Sequence, residues 1–246
     1  MIGLAVLPLE GMPEIEQDDD LAGLLHEAAE RAGGLEAGDV LVVAQKVVSK
    51  AEGRIVHLKD VEAGDFARAN AAGQDPRHLQ VILDESTRIV RMRPPFVIAE
   101  TAHGFVCGSA GVDASNTPGD GTLVLLPVDP DASAEALRGR LSELAGVDLA
   151  VIVSDSFGRP WRHGTTDVAI GVAGLSPVRD LRGVRDRTGY ELRSTRIAVA
   201  DEIAGAAELV MGKTEGIPAA IVRGLRLGGE GTARELVMPP ERDLFR

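Results

Sequence analysis

The sequence predicts an α+β fold for this chain of 246 residues. Short runs of β-branched and aliphatic residues, typical of strands, occur along the chain together with segments that have the period of amphipathic helices. The two kinds of segment do not follow a regular strand–helix–strand rhythm, which favours mixed or antiparallel sheets packed with helices over a doubly wound parallel sheet. Aromatic residues make up only 3% of the chain, so we expect a core of Val, Leu, Ile and Ala.

The composition is that of one soluble globular protein. Hydrophobic residues account for 44% and charged residues for 26% of the chain, and no internal repeat or low-complexity linker divides it. A chain of this length can bury one large core or two small ones. We therefore expect a single domain over residues 1–246, with two interleaved subdomains as the alternative arrangement.

The first half of the chain predicts four strands and three helices. Asp20 is a favourable N-cap for a helix over residues 21–31, which Gly33 and Gly34 end. The other helices are predicted over residues 65–72 and 76–83, and the strands over residues 2–7, 39–44, 88–93 and 96–101.

The second half predicts four more strands, over residues 123–126, 149–153, 168–172 and 219–222, and helices over residues 131–144 and 199–210. The strand at 149–153 is an unbroken apolar run, which predicts burial on both faces. Polar residues, two arginines, a histidine and the only tryptophan follow it at 154–164. We expect the strand to end there, in a loop that delivers side chains to a site.

Asp155 and Ser156 in this segment offer the hard oxygen atoms that Mg²⁺ or Mn²⁺ prefers. Arg159 and Arg162 can bind phosphate or carboxylate. The alternative is an ordinary turn with a solvated aspartate and two surface arginines. For Asp155 taken alone, this alternative is favoured, because acids are common in turns.

Two other segments carry candidate ligands. Lys46 and Lys50 follow the predicted strand at 39–44 and could point at phosphate, although position alone favours solvated charges. Asp113 and Asn116 lie in a loop rich in small residues, where backbone amides can approach a ligand closely. An Asx-turn or a helix cap is the alternative for this pair.

Four arginines occur between residues 179 and 187 of an otherwise acidic protein. Such a cluster indicates a local anion site that could receive an acidic substrate. Ion pairs with Asp180 and Asp186 are the alternative.

Charge and termini exclude several classes of protein. A net charge of −12 argues against a nucleic-acid-binding surface. The single cysteine, Cys107, permits no intrachain disulfide, which fits a reducing compartment, and it is expected to be a buried small residue. The N-terminus lacks the basic region of a signal peptide and no apolar run is long enough to span a bilayer. We therefore expect a cytoplasmic enzyme.

Two nucleotide-binding motifs are absent. The segment Gly212–Thr214 resembles the end of a phosphate-binding P-loop, but Ala207 stands where the first glycine belongs. Gly229 and Gly231 begin a dinucleotide fingerprint that Arg234 interrupts.

Seven stretches in series resemble one family, the coenzyme F420-0:L-glutamate ligases, also called γ-glutamyl ligases. They are Glu-Gly-Met-Pro at 10–13, Val-Ser-Lys-Ala-Glu-Gly-Arg at 48–54, Ala-Gly-Val-Asp-Ala-Ser-Asn at 110–116, Leu-Pro-Val-Asp-Pro-Asp at 126–131, Ser-Asp-Ser-Phe-Gly-Arg at 154–159, Asp-Glu-Ile-Ala at 201–204 and Pro-Ala-Ala-Ile-Val-Arg-Gly-Leu at 218–225. Each stretch is a weak signal alone, but together they cover nearly the whole chain in order.

The resemblance implies a GTP-dependent amide ligase with an unusual α+β fold and an intertwined homodimer. It also implies divalent metal ions, Mn²⁺ or Mg²⁺, with K⁺ as a further candidate ion. The substrates would be coenzyme F420-0, L-glutamate and GTP. The γ-phosphate of GTP would activate a carboxylate as an acyl phosphate, and the amine of glutamate would then displace phosphate.

The same resemblance assigns roles to twelve residues. Those implied to contact GTP are Met12, Pro13, Glu14, Ile15, Gln45, Lys46, Lys50 and Asn116, and those implied to hold metal are Asp113, Asp155, Ser156 and Glu215. Lys50, Asp113 and Asp155 are the expected catalytic residues. The chain departs from the family pattern at Ser109 and in a shortened loop at 212–216, which carries Glu215.

Two other functions remain as alternatives. One is a non-catalytic binder of a nucleotide or a deazaflavin cofactor, against which the presence of Asp113, Asp155 and Lys50 together speaks. The other is a metal-dependent phosphohydrolase, which needs the same carboxylates but would release phosphate from GTP without glutamate.

Overall fold

A computed structural model describes residues 3–117 and 119–244 of the chain. The predicted start of the first strand, Ile2, lies outside the described residues, as does Pro118 in the loop of small residues. No helix within the described ranges is long and apolar enough to cross a membrane.

Twelve strands lie in the described part of the chain: β1 (Ala5–Pro8), β2 (Val40–Ala44), β3 (Ile55–His57), β4 (Ser86–Arg93), β5 (Phe96–Thr101), β6 (Val106–Gly108), β7 (Thr122–Val124), β8 (Ala150–Arg159), β9 (Arg162–Ala173), β10 (Arg179–Asp180), β11 (Arg196–Ile197) and β12 (Ala219–Arg223). The α-helices found there are α1 (Leu21–Arg31), α2 (Gln45–Ala51), α3 (Asp65–Asn70), α4 (Pro76–Asp84), α5 (Pro130–Ala145) and α6 (Val199–Met211), and short 3₁₀ turns occupy Leu58–Asp60, Ser109–Gly111, Ala233–Leu236 and Pro240–Arg242.

The central sheet is mixed, as the sequence predicted. Its strand order is β1-β12-β2-β8-β9, in which only β2 and β8 run parallel and the other neighbours are antiparallel. Smaller antiparallel sheets are formed by β4-β5-β6, β3-β7 and β10-β11. This arrangement confirms the α+β class.

Helices cover both faces of the central sheet. On one face, Leu25 of α1 and Leu141 of α5 are fully buried against Leu41 and Val151. On the other face, α6 packs its alanines and Ile203 against Ile152. Burying a side chain of this size contributes about 1.5–3 kcal/mol, so the aliphatic core accounts for much of the stability.

A separate apolar cluster joins the β4-β5-β6 and β3-β7 sheets to α3 and α4 around Leu79, Val97 and Leu123. Asp113 exchanges two backbone hydrogen bonds of 2.9 Å with Val124 of β7. The loop that carries Asp113 is therefore fixed to this cluster at its root.

Most predicted elements are found, with bounds that differ by a few residues. For two of the helices, a side-chain cap explains where the helix starts. Asp20 accepts a hydrogen bond from the backbone N–H of Gly23, and Asp129 accepts one from Ala132 at the start of α5. Such caps satisfy backbone donors that a helix cannot pair internally, so they mark helix starts in the sequence itself.

One helix was not predicted, and one predicted strand end was wrong. Residues 45–51, for which the sequence analysis assigned no element, form helix α2, because the packing of Val48 overrides the absence of a capping side chain at Ala44. Strand β8 does not end at Val153 but continues to Arg159, because β9 pairs with it from Val151 to Arg159.

Burial corrects one expectation and confirms another. Lys50, for which position favoured a solvated charge, is 4% exposed. Cys107 is buried, as predicted. This burial is the main reason that the pKa of its thiol is raised to about 12, and the negative charge of Asp155 contributes less.

Candidate active site

A cavity of about 460 Å³ lies at the end of β2, between α2, the loop that precedes α1 and the segment that follows α6. Eleven of the twelve residues to which the sequence assigned a role line it: Met12, Pro13, Glu14, Ile15, Gln45, Lys46, Lys50, Asp113, Asn116, Asp155 and Ser156. These residues come from four separate stretches of the chain. The fold therefore assembles them into one site.

Helix α2 positions the basic side chains of the cavity. Lys46 and Lys50 are four residues apart, so they lie on the same face of the helix. The ammonium of Lys50 is buried and forms an ion pair with Glu14, whose side chain is 68% exposed. Beside it, Gln45 is buried and its amide oxygen accepts a hydrogen bond of 2.8 Å from Ser49.

Lys46 fixes the loop that carries Asp113. Its ammonium donates to the backbone oxygen of Ser115 at 2.6 Å and lies 2.7 Å from Asp113 Oδ2. Burial opposes ionisation of Asp113, but hydrogen bonds from Lys46 and from the backbone N–H of Ser115 outweigh it. The pKa of Asp113 therefore lies below its usual value, and the group is a carboxylate at neutral pH.

Asp155 has the opposite electrostatic environment. Burial raises its pKa to about 7, with further increases from the negative charges of Asp167 and Asp113, while the backbone N–H of Ser156 opposes the shift by donating to Asp155 Oδ1 at 2.9 Å. Asp155 thus lies close to two other carboxylates. A cation bound here would remove that repulsion.

Asp167 of β9 also lines the cavity, although the sequence gave no reason to choose it. It is 6% exposed and accepts hydrogen bonds from the hydroxyls of Ser154 and Ser156. The sequence contains one signal for Asp167: it is a charged residue directly before the apolar run of a predicted strand. A charged residue in such a position is rarely buried without a partner. Without knowledge of the β8–β9 pairing, that partner could not be identified.

The segment after α6 closes another side of the cavity. Lys213 lies 3.8 Å from Asp113, and the side-chain amide of Asn116 donates to the backbone oxygen of Lys213 at 3.2 Å. Glu215 is not among the lining residues. Its carboxylate accepts hydrogen bonds from the backbone and the hydroxyl of Thr214, which lower its pKa.

The arginines that were predicted to bind anions do not line this cavity. Arg159 donates to the backbone oxygen of His163, and Arg162 is exposed in the β8–β9 hairpin. Arg182 pairs with Asp180, as the alternative interpretation of the arginine cluster expected. None of these residues lines the cavity.

The donor set of the cavity fits a hard divalent cation. Asp113, Asp155 and Ser156 provide two carboxylates and a hydroxyl. In the described residues, no three His, Cys, Asp or Glu side chains are grouped closely enough to hold a metal by themselves. Mg²⁺ and similar ions are commonly bound through one or two carboxylates together with water and substrate phosphates, so a third protein carboxylate is not required.

Known proteins resemble this chain over its full length. A family model described as F420-0:Gamma-glutamyl ligase matches residues 11–224, a range that includes every residue discussed above for the cavity. The coenzyme F420:L-glutamate ligase of Methanothermobacter thermautotrophicus is 46% identical over 252 residues, covering 100% of both chains. The enzyme of that name from Methanopyrus kandleri is 48% identical, again over 100% of both chains, and that from Archaeoglobus fulgidus is 43% identical over 98% of this chain and 96% of its own.

Proposed function

Because this chain belongs to the F420-0:gamma-glutamyl ligase family, we propose that it joins L-glutamate to coenzyme F420-0 in a reaction driven by GTP. It is a ligase that forms a carbon–nitrogen bond. The nucleotide, the metal ions and the order of chemical steps are part of the proposal. One observation carries it above all: two lysines and the carboxylates of Asp113 and Asp155 line a single cavity.

The loop at Met12–Ile15 and helix α2 form the proposed GTP site. Lys50 lies buried in the cavity wall, where an ammonium can neutralise phosphate oxygens without competing water. Its ammonium forms an ion pair with Glu14, so phosphate must displace that carboxylate or share the lysine with it. Gln45 and Asn116 supply amide groups to the same cavity.

Asp113, Asp155 and Ser156 are the residues that would hold Mn²⁺ or Mg²⁺. The ion would supply charge that neutralises phosphate oxygens and withdraws electrons from the γ-phosphorus. Burial opposes ionisation of Asp113, but hydrogen bonds from Lys46 and Ser115 hold its pKa below the usual value, so a carboxylate is present to bind a cation. The carboxylate of Glu215 accepts hydrogen bonds from its neighbour Thr214, and its role as a metal ligand stays a prediction.

The proposed reaction has two steps. A carboxylate oxygen of F420-0 attacks the γ-phosphorus of GTP, and the bond from that phosphorus to the bridging oxygen of GDP breaks. The amine of glutamate then attacks the acyl carbon of the resulting acyl phosphate, releasing phosphate and one proton. The residues of the cavity contribute by positioning the reactants and by balancing the charge of the phosphates.

We also propose that the protein is cytoplasmic. On family resemblance, we further propose a homodimer as the working form and K⁺ as an activating ion. Both can be checked in the assay below, by gel filtration of the active species and by replacing K⁺ with Na⁺.

The proposal is tested by incubating the purified chain with F420-0, L-glutamate, GTP and Mn²⁺ and following the products by mass spectrometry. We expect F420-0 to gain one glutamyl residue or more, with one GDP and one phosphate formed for each amide bond. ATP in place of GTP should give at least tenfold lower kcat/KM. Equal turnover with both nucleotides would refute the choice of GTP while leaving the ligase activity intact.

The phosphohydrolase alternative gives a different result in the same assay. It releases phosphate from GTP at the same rate with and without glutamate and forms no glutamylated product. A non-catalytic binder would bind nucleotide or cofactor and form neither product.

A further inference from the structure

Asp167 is a buried carboxylate to which the proposed reaction assigns no role. It lies on β9 directly opposite Ser156 of β8. Ser154 precedes Ser156 by two residues on β8, and side chains two residues apart on a strand lie on the same face. Ser156 Oγ donates to Asp167 Oδ1 at 2.6 Å, and Ser154 Oγ donates to Asp167 Oδ2 at 2.8 Å. The two oxygens of one carboxylate thus hold two hydroxyls of the neighbouring strand.

This arrangement fixes the orientation of both hydroxyls. An ionised carboxylate can only accept hydrogen bonds, so each serine must direct its single proton at Asp167. The lone pairs of Ser156 Oγ then remain for another partner. A cation needs lone pairs. A hydroxyl whose proton already points away from the cation can bind it without a cost of reorientation.

A purely structural role explains the arrangement less well. Two buried serines can be satisfied by neutral acceptors, whereas burying a carboxylate carries a desolvation cost of its own. That cost is offset if the site holds a positive ion.

We propose that Asp167 is a positioning residue for the divalent cation, acting through the hydroxyl of Ser156. Its Oδ1 orients Ser156 and its Oδ2 orients Ser154, so that Ser156 Oγ presents lone pairs to the ion. This inference rests on the proposed metal site formed by Asp113, Asp155 and Ser156.

The test is a titration of the metal-free protein with Mn²⁺ alone, read by the electron paramagnetic resonance signal of the free ion. Four proteins are compared: wild type, Ser156→Ala, Asp167→Asn and the double variant. We expect each single substitution to weaken Mn²⁺ binding by roughly ten- to a hundredfold, the usual effect of losing a group that orients a metal ligand. The double variant should bind no more weakly than Ser156→Ala, because Asp167 acts through that hydroxyl.

A rescue variant distinguishes orientation from general damage. An asparagine offers one acceptor oxygen, so it cannot hold both serine protons. Removing the competing hydroxyl in Ser154→Ala with Asp167→Asn should let that oxygen accept from Ser156, and Mn²⁺ affinity should return to within about threefold of Ser154→Ala. Thermal unfolding checks that each variant is folded. If Asp167→Asn alone does not fold, the rescue variant decides whether Asp167 orients Ser156.

The outcomes separate this inference from the proposed metal site. Failure of the wild type to bind Mn²⁺, or normal binding by Ser156→Ala, overturns the metal site and the inference with it. Weakened binding by Ser156→Ala together with normal binding by Asp167→Asn overturns only the role of Asp167. Losses that multiply in the double variant, or a rescue variant that stays tenfold weaker than Ser154→Ala, also overturn that role.

Discussion

The ammonium of Lys46 lies 2.7 Å from Asp113 Oδ2, and this ion pair joins helix α2 to the loop that carries Asp113. Both side chains are largely buried, with 14% and 27% of their surfaces exposed. Because the ammonium of Lys46 lowers the pKa of the proposed metal ligand Asp113 and holds the backbone of its loop, Lys46 has a structural part in the site in addition to any contact with GTP.

Lys46→Ala is expected to lower the free energy of unfolding by about 1–3 kcal/mol, because it leaves Asp113 and Ser115 without their main donor. Urea unfolding measures this change. Lys59→Ala is the matched control, since Lys59 is an exposed lysine outside the cavity, and it should change stability by less than about 0.5 kcal/mol. Equal stability of the two variants would contradict the structural role of Lys46.

Asp113→Asn and Asp155→Asn should each reduce turnover by orders of magnitude and leave the fold intact. Both carboxylates line the cavity, and loss of a metal ligand removes the charge that balances the phosphates. Steady-state kinetics at saturating Mn²⁺ and circular dichroism check the two statements. Asp60→Asn, a substitution at an exposed position, is the control, and activity near that of the control would remove the substituted residue from the site.

Lys50→Ala should weaken GTP binding by about ten- to a hundredfold, because a charge-assisted hydrogen bond to phosphate contributes roughly 1.5–3 kcal/mol. Lys50→Arg should restore binding only in part, since a planar guanidinium does not replace a compact ammonium. Calorimetric titration with GTP in the presence of Mn²⁺ measures both. If Lys50→Ala matches wild type in affinity and in turnover, Lys50 has no place in the nucleotide site.

The raised pKa of Asp155 predicts how the stability of the metal-free protein depends on pH. The folded state holds this proton up to pH about 7, whereas the unfolded chain releases it near pH 4, so between these values the folded state binds more protons. This group therefore makes the folded state less stable as pH rises from 4 to 7. Asp155→Asn should remove that contribution, and Mn²⁺ should bind more tightly as pH rises past 7.

Thermal unfolding in a chelator at several pH values, compared between wild type and Asp155→Asn, isolates this one group from all others that titrate. The difference in Tm should favour the variant increasingly toward pH 7. A constant difference across this range would show that Asp155 titrates normally.

The sequence predicted those parts of the fold whose signals are local. The cap at Asp20 and the apolar runs of the central strands specify their elements through nearby residues alone. Helix α2 has no such cap and contains two adjacent valines, so its helical form depends on packing against the sheet. The length of β8 likewise depends on β9, a partner that no local pattern identifies.

The candidate site shows the same division. Family resemblance selected residues from distant stretches, and eleven of them line one cavity, although their contacts with GTP and metal stay predictions. The burial of Lys50 and the two hydrogen bonds accepted by Asp167 could not be predicted, because both depend on which strands and helices become neighbours.

The most direct test of the account follows oxygen atoms. F420-0 labelled with oxygen-18 in the carboxylate to be amidated is incubated with the protein, GTP, Mn²⁺ and L-glutamate, and the phosphate is analysed by mass spectrometry. If that carboxylate attacks the γ-phosphorus, each phosphate released must carry one labelled oxygen and the amide product must retain the other. Unlabelled phosphate would contradict the acyl-phosphate step, and phosphate released without any glutamylated product would contradict the ligase itself.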